Sequence, residues 1–180
     1  MKPHILAVLI LPALASGPKE ANMNFTDFAG VASIESPEGW EVDKAEDAVD
    51  PSLIFSLGPD IIKARLLGGE GSRYASPAEY LKGFEATTMG KPPEKIRAIK
   101  VVGGKTWLYR HGYPMALGDP HVVGDMPPIL AQEEFCIIPI GRKFLVLSWA
   151  HESAPDPEFA AEKAWTRFLE RISLAKPRAR

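Results

Sequence analysis

The sequence predicts an α+β fold: a mainly antiparallel β-sheet of six to eight strands that is covered by two principal helices. Short apolar runs follow one another along the chain, separated by turns that contain glycine and proline, which is typical of consecutive hairpins. Two segments, one inside the chain and one near its end, carry helical signals. The last two predicted strands are apolar on both faces, so we expect a layer on each side of the sheet.

The composition is that of an ordinary globular domain. The chain has 180 residues, 46% of them hydrophobic and 24% charged, with a net charge of −2. Basic residues cluster only at the end of the chain, so the sequence does not favour nucleic-acid binding. The single cysteine cannot form an intramolecular disulfide. We expect a flexible N-terminal tether over 16–29, one folded domain over 30–174 and a basic tail over 175–180.

Residues 1–15 have the pattern of a signal peptide. Lys2 precedes an uninterrupted apolar run over 5–11, and the small residues Ala13 and Ala15 fit the site that a signal peptidase cleaves. The run is much shorter than the ~20 residues that a membrane helix needs. We therefore expect a protein without a membrane span that is periplasmic or secreted, and soluble after cleavage near Ala15.

The first half of the domain is predicted to hold four strands. A turn over 36–39 separates the first two strands, and a turn over 58–60 makes a hairpin of the next two. The predicted strands are 31–35, the segment of Trp40 and Val42, 53–57 and 61–67.

A helix is predicted after the glycine-containing passage 68–71. Ser76 and Glu79 form a capping box, with a proline between them at the first helical position. Apolar residues at helical spacing continue to Phe84, and Gly90 ends the helix.

Four strands and a closing helix are predicted in the second half. The strands are 95–102, 106–113, 129–138 and 144–149, with a long loop over 114–128. The segment Asp156-Pro157-Glu158 is a cap signal for the closing helix, which is predicted to end at Leu174. An apolar stripe at helical spacing supports this helix; its members are Ala161, Trp165, Phe168 and Ile172.

The order of these elements resembles the PsbP-like superfamily. Residues 36–40, Ser-Pro-Glu-Gly-Trp, follow a short strand as in the family's opening motif, the glycine pair in 102–104 ends a strand, and 168–174 is similar to its closing motif. The family includes extrinsic photosystem II proteins, the Mog-type nuclear import factor and DcrB-like bacterial envelope proteins. Over residues 30–174 the resemblance implies an α/β/α sandwich of the bacterial envelope branch, acting as a binding or assembly module without a common catalytic centre.

Catalytic motifs are not found in the sequence. No G-x-S-x-G elbow occurs, and the glycines of 68–71 lack the G-K-[ST] ending of a phosphate-binding loop. Cys136 could pair in space with His111, His121 or His151, but its apolar strand favours a buried, inert thiol. We therefore predict neither an enzyme nor a cofactor.

The loop that follows the strand 106–113 is the candidate place for a metal ion. His111, Asp119, His121 and Asp125 offer imidazole and carboxylate ligands within fifteen residues. Their spacing matches no ligand signature, so a solvated loop without a metal is the favoured interpretation. If a site exists, His111→Ala combined with His121→Ala should abolish stoichiometric zinc or copper binding in calorimetry.

Two further residue groups are interpreted structurally. Alternation along a strand sends Glu133 and Glu134 to opposite faces, so they cannot act together as a carboxylate pair, and we expect solvated or salt-bridged positions. The four tryptophans could line an apolar pocket, but they are expected to fill the core; they are Trp40, Trp107, Trp149 and Trp165.

The favoured function is that of an exported, non-enzymatic binding or assembly module of the cell envelope that contacts another envelope protein. The alternative is a periplasmic carrier of a small molecule or metal that uses the region 111–128. An open apolar groove beside the sheet would support the first, and a deep cavity of ~300 Å³ or more the second. An enzyme would require His and carboxylate groups that converge in one cleft. The sequence does not predict the oligomeric state.

Overall fold

A computed structural model describes residues 25–45, 49–87, 91–115, 129–152 and 161–175. These residues form ten strands and two helices in chain order: β1 (Phe25–Phe28), β2 (Ala32–Glu35), β3 (Glu41–Ala45), β4 (Ser52–Leu57), β5 (Asp60–Leu67), α1 (Pro77–Thr87), β6 (Glu94–Val101), β7 (Gly104–Met115), β8 (Ile129–Ile140), β9 (Lys143–Glu152), α2 (Ala161–Arg171) and β10 (Ser173–Leu174).

Seven strands form the main sheet, in the order β3-β4-β5-β9-β8-β7-β6, and every neighbouring pair is antiparallel. The predicted α+β fold is confirmed, with a main sheet inside the predicted range of six to eight strands. Three short strands form a separate antiparallel sheet in the order β1-β2-β10.

The two helices lie on opposite faces of the main sheet. Successive side chains of a strand point to opposite faces, so each strand supplies both cores. The core under α2 includes Ala64, Leu145, Leu147, Trp165 and Phe168. The core under α1 includes Leu67, Tyr80, Phe84, Phe135 and Val146. Both faces of β8 and β9 are buried, as their apolar sequence predicted.

The capping box begins α1 as predicted. The Glu79 backbone N–H donates to Ser76 Oγ at 3.2 Å, and Glu79 Oε2 in return accepts from the Ala75 N–H at 2.9 Å. Gly83 lets α1 approach a neighbouring ring closely, since a Cβ there would lie 2.9 Å from Tyr74 Cε1.

Two predicted boundaries were wrong at the ends of the domain. Phe25–Phe28 is not part of an irregular tether but pairs with β2 as β1. The closing helix ends at Arg171, and Ser173–Leu174 continues as β10 against Ala32 and Ser33. Short strands of this kind are stabilised by the partner strand, which local sequence does not show.

The central strands are longer than predicted. Strand β7 continues to Met115, two residues into the predicted loop, and β8 runs through Pro139 to Ile140 before the turn at 141–142. Strand β9 likewise extends to Glu152. The predicted leader, most of the loop over 114–128, the cap signal at 156–158 and most of the basic tail lie outside the described residues. Neither α1 nor α2 is long and apolar enough to cross a membrane.

Candidate functional site

A groove lies between α2 and the connection from β2 to β3. It has a cavity volume of about 270 Å³ and is open to solvent. Four side chains form its apolar floor: Trp40, Leu57, Ala164 and Phe168. We call this cavity the groove.

The apolar stripe of α2 packs against the sheet and fixes the floor of the groove. Trp165 and Phe168 are buried, and the Phe168 ring meets the fully buried Phe55 of β4 edge to face at 5.7 Å. Ala164 sits beside this stripe and is half-buried, so its small side chain leaves room above the floor. Packing of α2 therefore shapes the groove without filling it.

One wall of the groove is a tight turn. The Trp40 N–H donates to the Pro37 carbonyl at 3.3 Å, and Gly39 between them has a φ of +81°. A positive φ at the third position of such a turn favours glycine, which has no Cβ to clash. The turn presents the exposed Glu38 beside the groove and places the buried Trp40 ring on its floor.

Three cationic side chains form the wall opposite this turn. Lys163, Arg167 and Arg171 are spaced four residues apart on α2, so they lie along one side of the helix, and all three line the groove. We call these three residues the basic ridge. Glu162 and Glu170 lie on the outward side of the ridge, where with Lys163 and Arg167 they border a shallower hollow.

A single buried carboxylate anchors the ridge. Glu35, 92% buried at the end of β2, accepts from Arg167 Nη2 at 2.7 Å through Oε1. Its Oε2 atom is buried and accepts no hydrogen bond from the described residues; Arg171 Nε lies 3.7 Å away. Both guanidinium groups remain more than half exposed. Glu35 therefore positions two cations at the surface and holds Arg171 only loosely.

Sequence reasoning missed the groove but not its helix. The stripe of α2 was predicted, whereas the Lys-x₃-Arg-x₃-Arg spacing beside it was available as a signal and was not used. The opposite wall, 35–38, is more than 120 residues away in sequence, so its position depends on the tertiary fold.

The opposite face of the main sheet carries a polar cluster under α1. His111 Nε2 lies 2.9 Å from Glu133 Oε2 in a direct cross-strand pair, and Ser148 also donates a hydrogen bond to Glu133. Lys63 and Arg65 on β5 interact electrostatically with Glu133. We call these five residues the polar cluster.

The surroundings of the polar cluster shift the pKa values of Glu133, Lys63 and the neighbouring Tyr80. Burial by itself would raise the pKa of Glu133, but the hydrogen bonds from His111 and Ser148 outweigh it and lower the pKa. Burial, together with the nearby Arg65, lowers the pKa of Lys63. Burial also raises the pKa of Tyr80, whose hydroxyl accepts from Arg65 Nη2 at 2.7 Å.

The polar cluster does not have the geometry of a nucleophilic site. In a serine hydrolase the imidazole stands between the serine and the carboxylate. Here the carboxylate of Glu133 stands in the middle, so Ser148 donates to a carboxylate of lowered pKa, a weak base, and not to an imidazole. The free ring nitrogen of His111, Nδ1, is buried and has no partner among the described residues. The ring itself contacts Phe84 and Tyr113, with centroids 4.5 and 5.3 Å away.

Glu133 and Glu134 point to opposite faces, as predicted. Glu133 belongs to the polar cluster, and Glu134 on the α2 face accepts from Arg110 Nη2 at 2.6 Å. The expectation of a salt-bridged position is confirmed for Glu134, whereas Glu133 pairs with the imidazole of His111. Of the tryptophans, Trp107 is 44% exposed, with Lys95 Nζ 5.2 Å from its ring centre, whereas the other three are buried.

Of the candidate metal ligands, only His111 lies in the described part of the chain. Its Nε2 is held by Glu133. Asp119, His121 and Asp125 lie outside the described residues, so the metal hypothesis stays a prediction. No group of three or more His, Cys, Asp or Glu side chains within the described ranges is arranged to hold a metal ion.

Cys136 is fully buried, as predicted for an inert thiol, and burial raises its pKa to about 12. His111 points to the other face of the sheet. His151 lies on β9 four residues from Leu147, the cross-strand partner of Cys136, which is roughly 13 Å along the strand. Neither histidine can serve this thiol as a base.

Comparison with known proteins leaves the family open. No family model matches this chain, and no curated protein matches its sequence. A Bacteroides thetaiotaomicron protein of known structure superposes with a TM-score of 0.47 and 9% identity, over 81% of this chain. This chain spans about half, 46%, of the length of that protein.

The second similar structure is LpqN, which is described as involved in cell envelope biogenesis of Mycobacterium tuberculosis. It superposes with a TM-score of 0.41 and 12% identity, over 87% of each chain. That description applies to LpqN itself. Neither structure is named as PsbP-like, so that resemblance stays a prediction.

Proposed function

We propose that this chain is an exported, non-enzymatic binding module of the cell envelope that holds a segment of a partner protein in the groove. The observation that carries the proposal is the groove itself: an apolar floor of Trp40, Leu57 and Phe168, open to solvent and bordered by charged walls. An apolar surface bordered by polar residues is typical of a protein-interaction site.

The size of the groove favours a partner's side chain over a free small molecule. Ligand pockets are usually about 300–1,000 Å³ and enclose most of the ligand. The groove, at about 270 Å³, is at the lower end of that range and is open to solvent, so it would enclose little of a free ligand. One or two apolar side chains of a larger partner would fill it, and the rest of the partner would contact the walls.

The absence of enzyme activity is part of the proposal. The groove is lined by one hydroxyl, that of Ser36, and by no histidine or cysteine, and no hydrogen bond joins Ser36 to a base among the described residues. The His and carboxylate that converge in the described ranges, His111 and Glu133, lie on the opposite face of the sheet from the groove, and their side chains are only 10% and 18% exposed.

Site-specific photo-crosslinking tests the groove. A photoreactive phenylalanine derivative replaces Lys163 in the full chain, expressed in its own cells; the matched control position is the exposed Lys82 on α1. We expect one envelope protein to be linked from position 163 and not from 82. The purified partner should then bind the full chain and lose at least tenfold in affinity with Ala164→Trp, which fills the groove.

Two results would contradict the proposal. Equal crosslinking from positions 163 and 82, or binding that Ala164→Trp leaves unchanged, would show that the groove does not bind the partner. Mass spectrometry of the same cells tests export separately: a chain beginning at Ser16 is expected, and one that retains Met1 would contradict it.

A further inference from the structure

The charges around the groove favour one sign of partner. Lys163, Arg167 and Arg171 contribute three positive charges to its lining, and Glu35 and Glu38 contribute two negative charges, which leaves +1. The whole chain carries −2. The groove is therefore a positively charged site on a negatively charged protein, and complementary charge is what orients a partner on encounter.

The cations of the basic ridge also have unused binding capacity. Lys163 is exposed and forms no ion pair with any described residue. Each guanidinium has five N–H donors. Arg167 uses one of its groups on Glu35, and Arg171 approaches Glu35 only at 3.7 Å. Most of these donors face solvent, where a carboxylate of the partner can reach them.

The acidic residues of α2 do not cancel this charge on the groove side. Glu162 and Glu170 border the hollow on the outward side of the ridge and do not line the groove. Glu38 stands on the opposite wall. The positive charge is therefore concentrated along one wall, directly beside the apolar floor.

The spacing of the ridge fits an extended chain. Residues four apart on a helix are separated by about 6 Å along its axis. Alternate residues of an extended segment are separated by about 6.6 Å and point to the same side. An extended segment that lies along α2 could therefore place carboxylates at alternate positions against successive cations of the ridge.

Resting on the proposed function, we infer that the segment held in the groove is acidic and amphipathic: a large apolar side chain lies on the Trp40–Leu57–Phe168 floor, and neighbouring carboxylates contact the basic ridge. Glu35 is a positioning residue in this arrangement, since it orients Arg167 and Arg171 without being accessible itself. A neutral or basic segment would leave the ridge unpaired, and a lysine would face like charges.

Peptide selection tests this inference even while the partner is unidentified. A phage-displayed library of random dodecapeptides is selected on the immobilised full chain and counter-selected on Ala164→Trp, whose fold is checked by circular dichroism. We expect the groove-dependent peptides to be enriched in Asp or Glu within two positions of a large apolar residue. Synthetic versions with Asp and Glu changed to Asn and Gln should bind about three- to tenfold more weakly.

Variants of the ridge provide the matched controls. Lys163→Glu should weaken the acidic peptides about three- to tenfold and reverse the preference toward Lys-containing versions, whereas Lys82→Glu on the other side of the sheet should not. The affinity for the acidic peptides should also fall as the salt concentration rises, because exposed charge pairs are screened.

The outcomes separate this inference from the proposed function. Groove-dependent peptides without acidic enrichment would overturn the inference and leave the proposed function standing. No groove-dependent peptide at all would contradict the proposed function. Dodecanoate that binds more tightly than every selected peptide, or a dimer of the chain that Ala164→Trp dissolves, would identify a different occupant and overturn the inference.

Discussion

The two faces of the main sheet pair their carboxylates differently. On the α2 face the buried carboxylates are paired with donors around an apolar core: Asp60 accepts from Trp149 Nε1, and Glu134 and Glu35 accept from arginines that are 40% and 59% exposed. On the α1 face His111 and Glu133 form a part-buried cross-strand pair, and the His111 ring contacts Phe84 and Tyr113. Alternate residues of the same strands supply both environments. We therefore expect binding on the α2 face, as proposed above, and a contribution of Glu133 on the α1 face to the pH dependence of stability.

The largest expected effect tests whether both faces contribute equally to stability. Phe135 is fully buried under α1, and its ring lies 5.0–5.7 Å from those of Phe84, Tyr109 and Tyr80. Phe135→Ala should lower the free energy of unfolding by about 3–5 kcal/mol, measured by urea denaturation. Phe55→Ala, fully buried on the α2 face, should cost a similar amount. A cost of less than about 1 kcal/mol for either would show that its face is not a packed core.

The next effect concerns the hydrogen-bonded pair of His111 and Glu133. Glu133→Ala removes the acceptor of His111 and Ser148 and should cost about 1–3 kcal/mol, because buried donors lose their partner. Glu134→Ala provides the comparison on the α2 face, where its partner Arg110 is 40% exposed and can turn to water. We expect the smaller loss there, and an equal or larger loss would contradict the enclosed character of the α1 face.

Glu133 of this pair also predicts that the free energy of unfolding depends on pH. The pKa of Glu133 is lower in the folded protein than its ordinary value of 4.5, so the folded state favours the charged carboxylate. The resulting stabilisation is present above pH 4.5 and is lost as the pH falls through the lowered pKa of the folded state. In urea denaturation from about pH 6.5 to about pH 3, Glu133→Gln should lose less stability on acidification than the unchanged protein does. Parallel curves for the two proteins would refute this.

A smaller loss is expected at the edge of the α2 face. Arg167→Ala removes the 2.7 Å contact to Glu35, but Arg171 at 3.7 Å can move in to pair with the carboxylate. The expected cost is about 1 kcal/mol in thermal or urea unfolding. The double variant Arg167→Ala with Arg171→Ala should cost more than the two single costs added, because only then is Glu35 buried without a cation. Simple additivity would mean that Arg171 does not compensate.

The smallest stability effect is expected at Lys163, which belongs to the basic ridge of the proposed binding site. Lys163 is exposed and has no ion pair within the described ranges, so Lys163→Glu should change the free energy of unfolding by less than about 0.5 kcal/mol. The new carboxylate would face Arg167 one turn along α2, which offsets the lost charge. Unchanged stability combined with weakened binding would separate the groove from the fold. A destabilisation above about 1 kcal/mol would indicate that Lys163 has a structural role.

Much of the fold was predictable because its signals are local. The Ser76–Glu79 capping box and the turn predicted at 36–39 each lie within four residues; the capping box forms as predicted, and the turn forms one residue later, from Pro37 to Trp40. The opposite orientation of Glu133 and Glu134 follows from strand alternation alone. The errors occurred where local signal was weak: Phe25–Phe28 and Ser173–Leu174 are strands only because β2 lies between them.

By itself the sequence determined the fold class, most of the strands, both helices and the buried character of Cys136, since periodicity and burial are properties of neighbouring residues. Only the tertiary structure decided the two sites. His111 meets Glu133 across 22 residues of chain, and Glu35 meets Arg167 across 132. Pairing strands and docking α2 bring these groups together, and the chain between them carries no local mark of the contact. The physical reason is that a charged residue looks the same in sequence whether it ends in solvent, in a buried pair or on the wall of a groove.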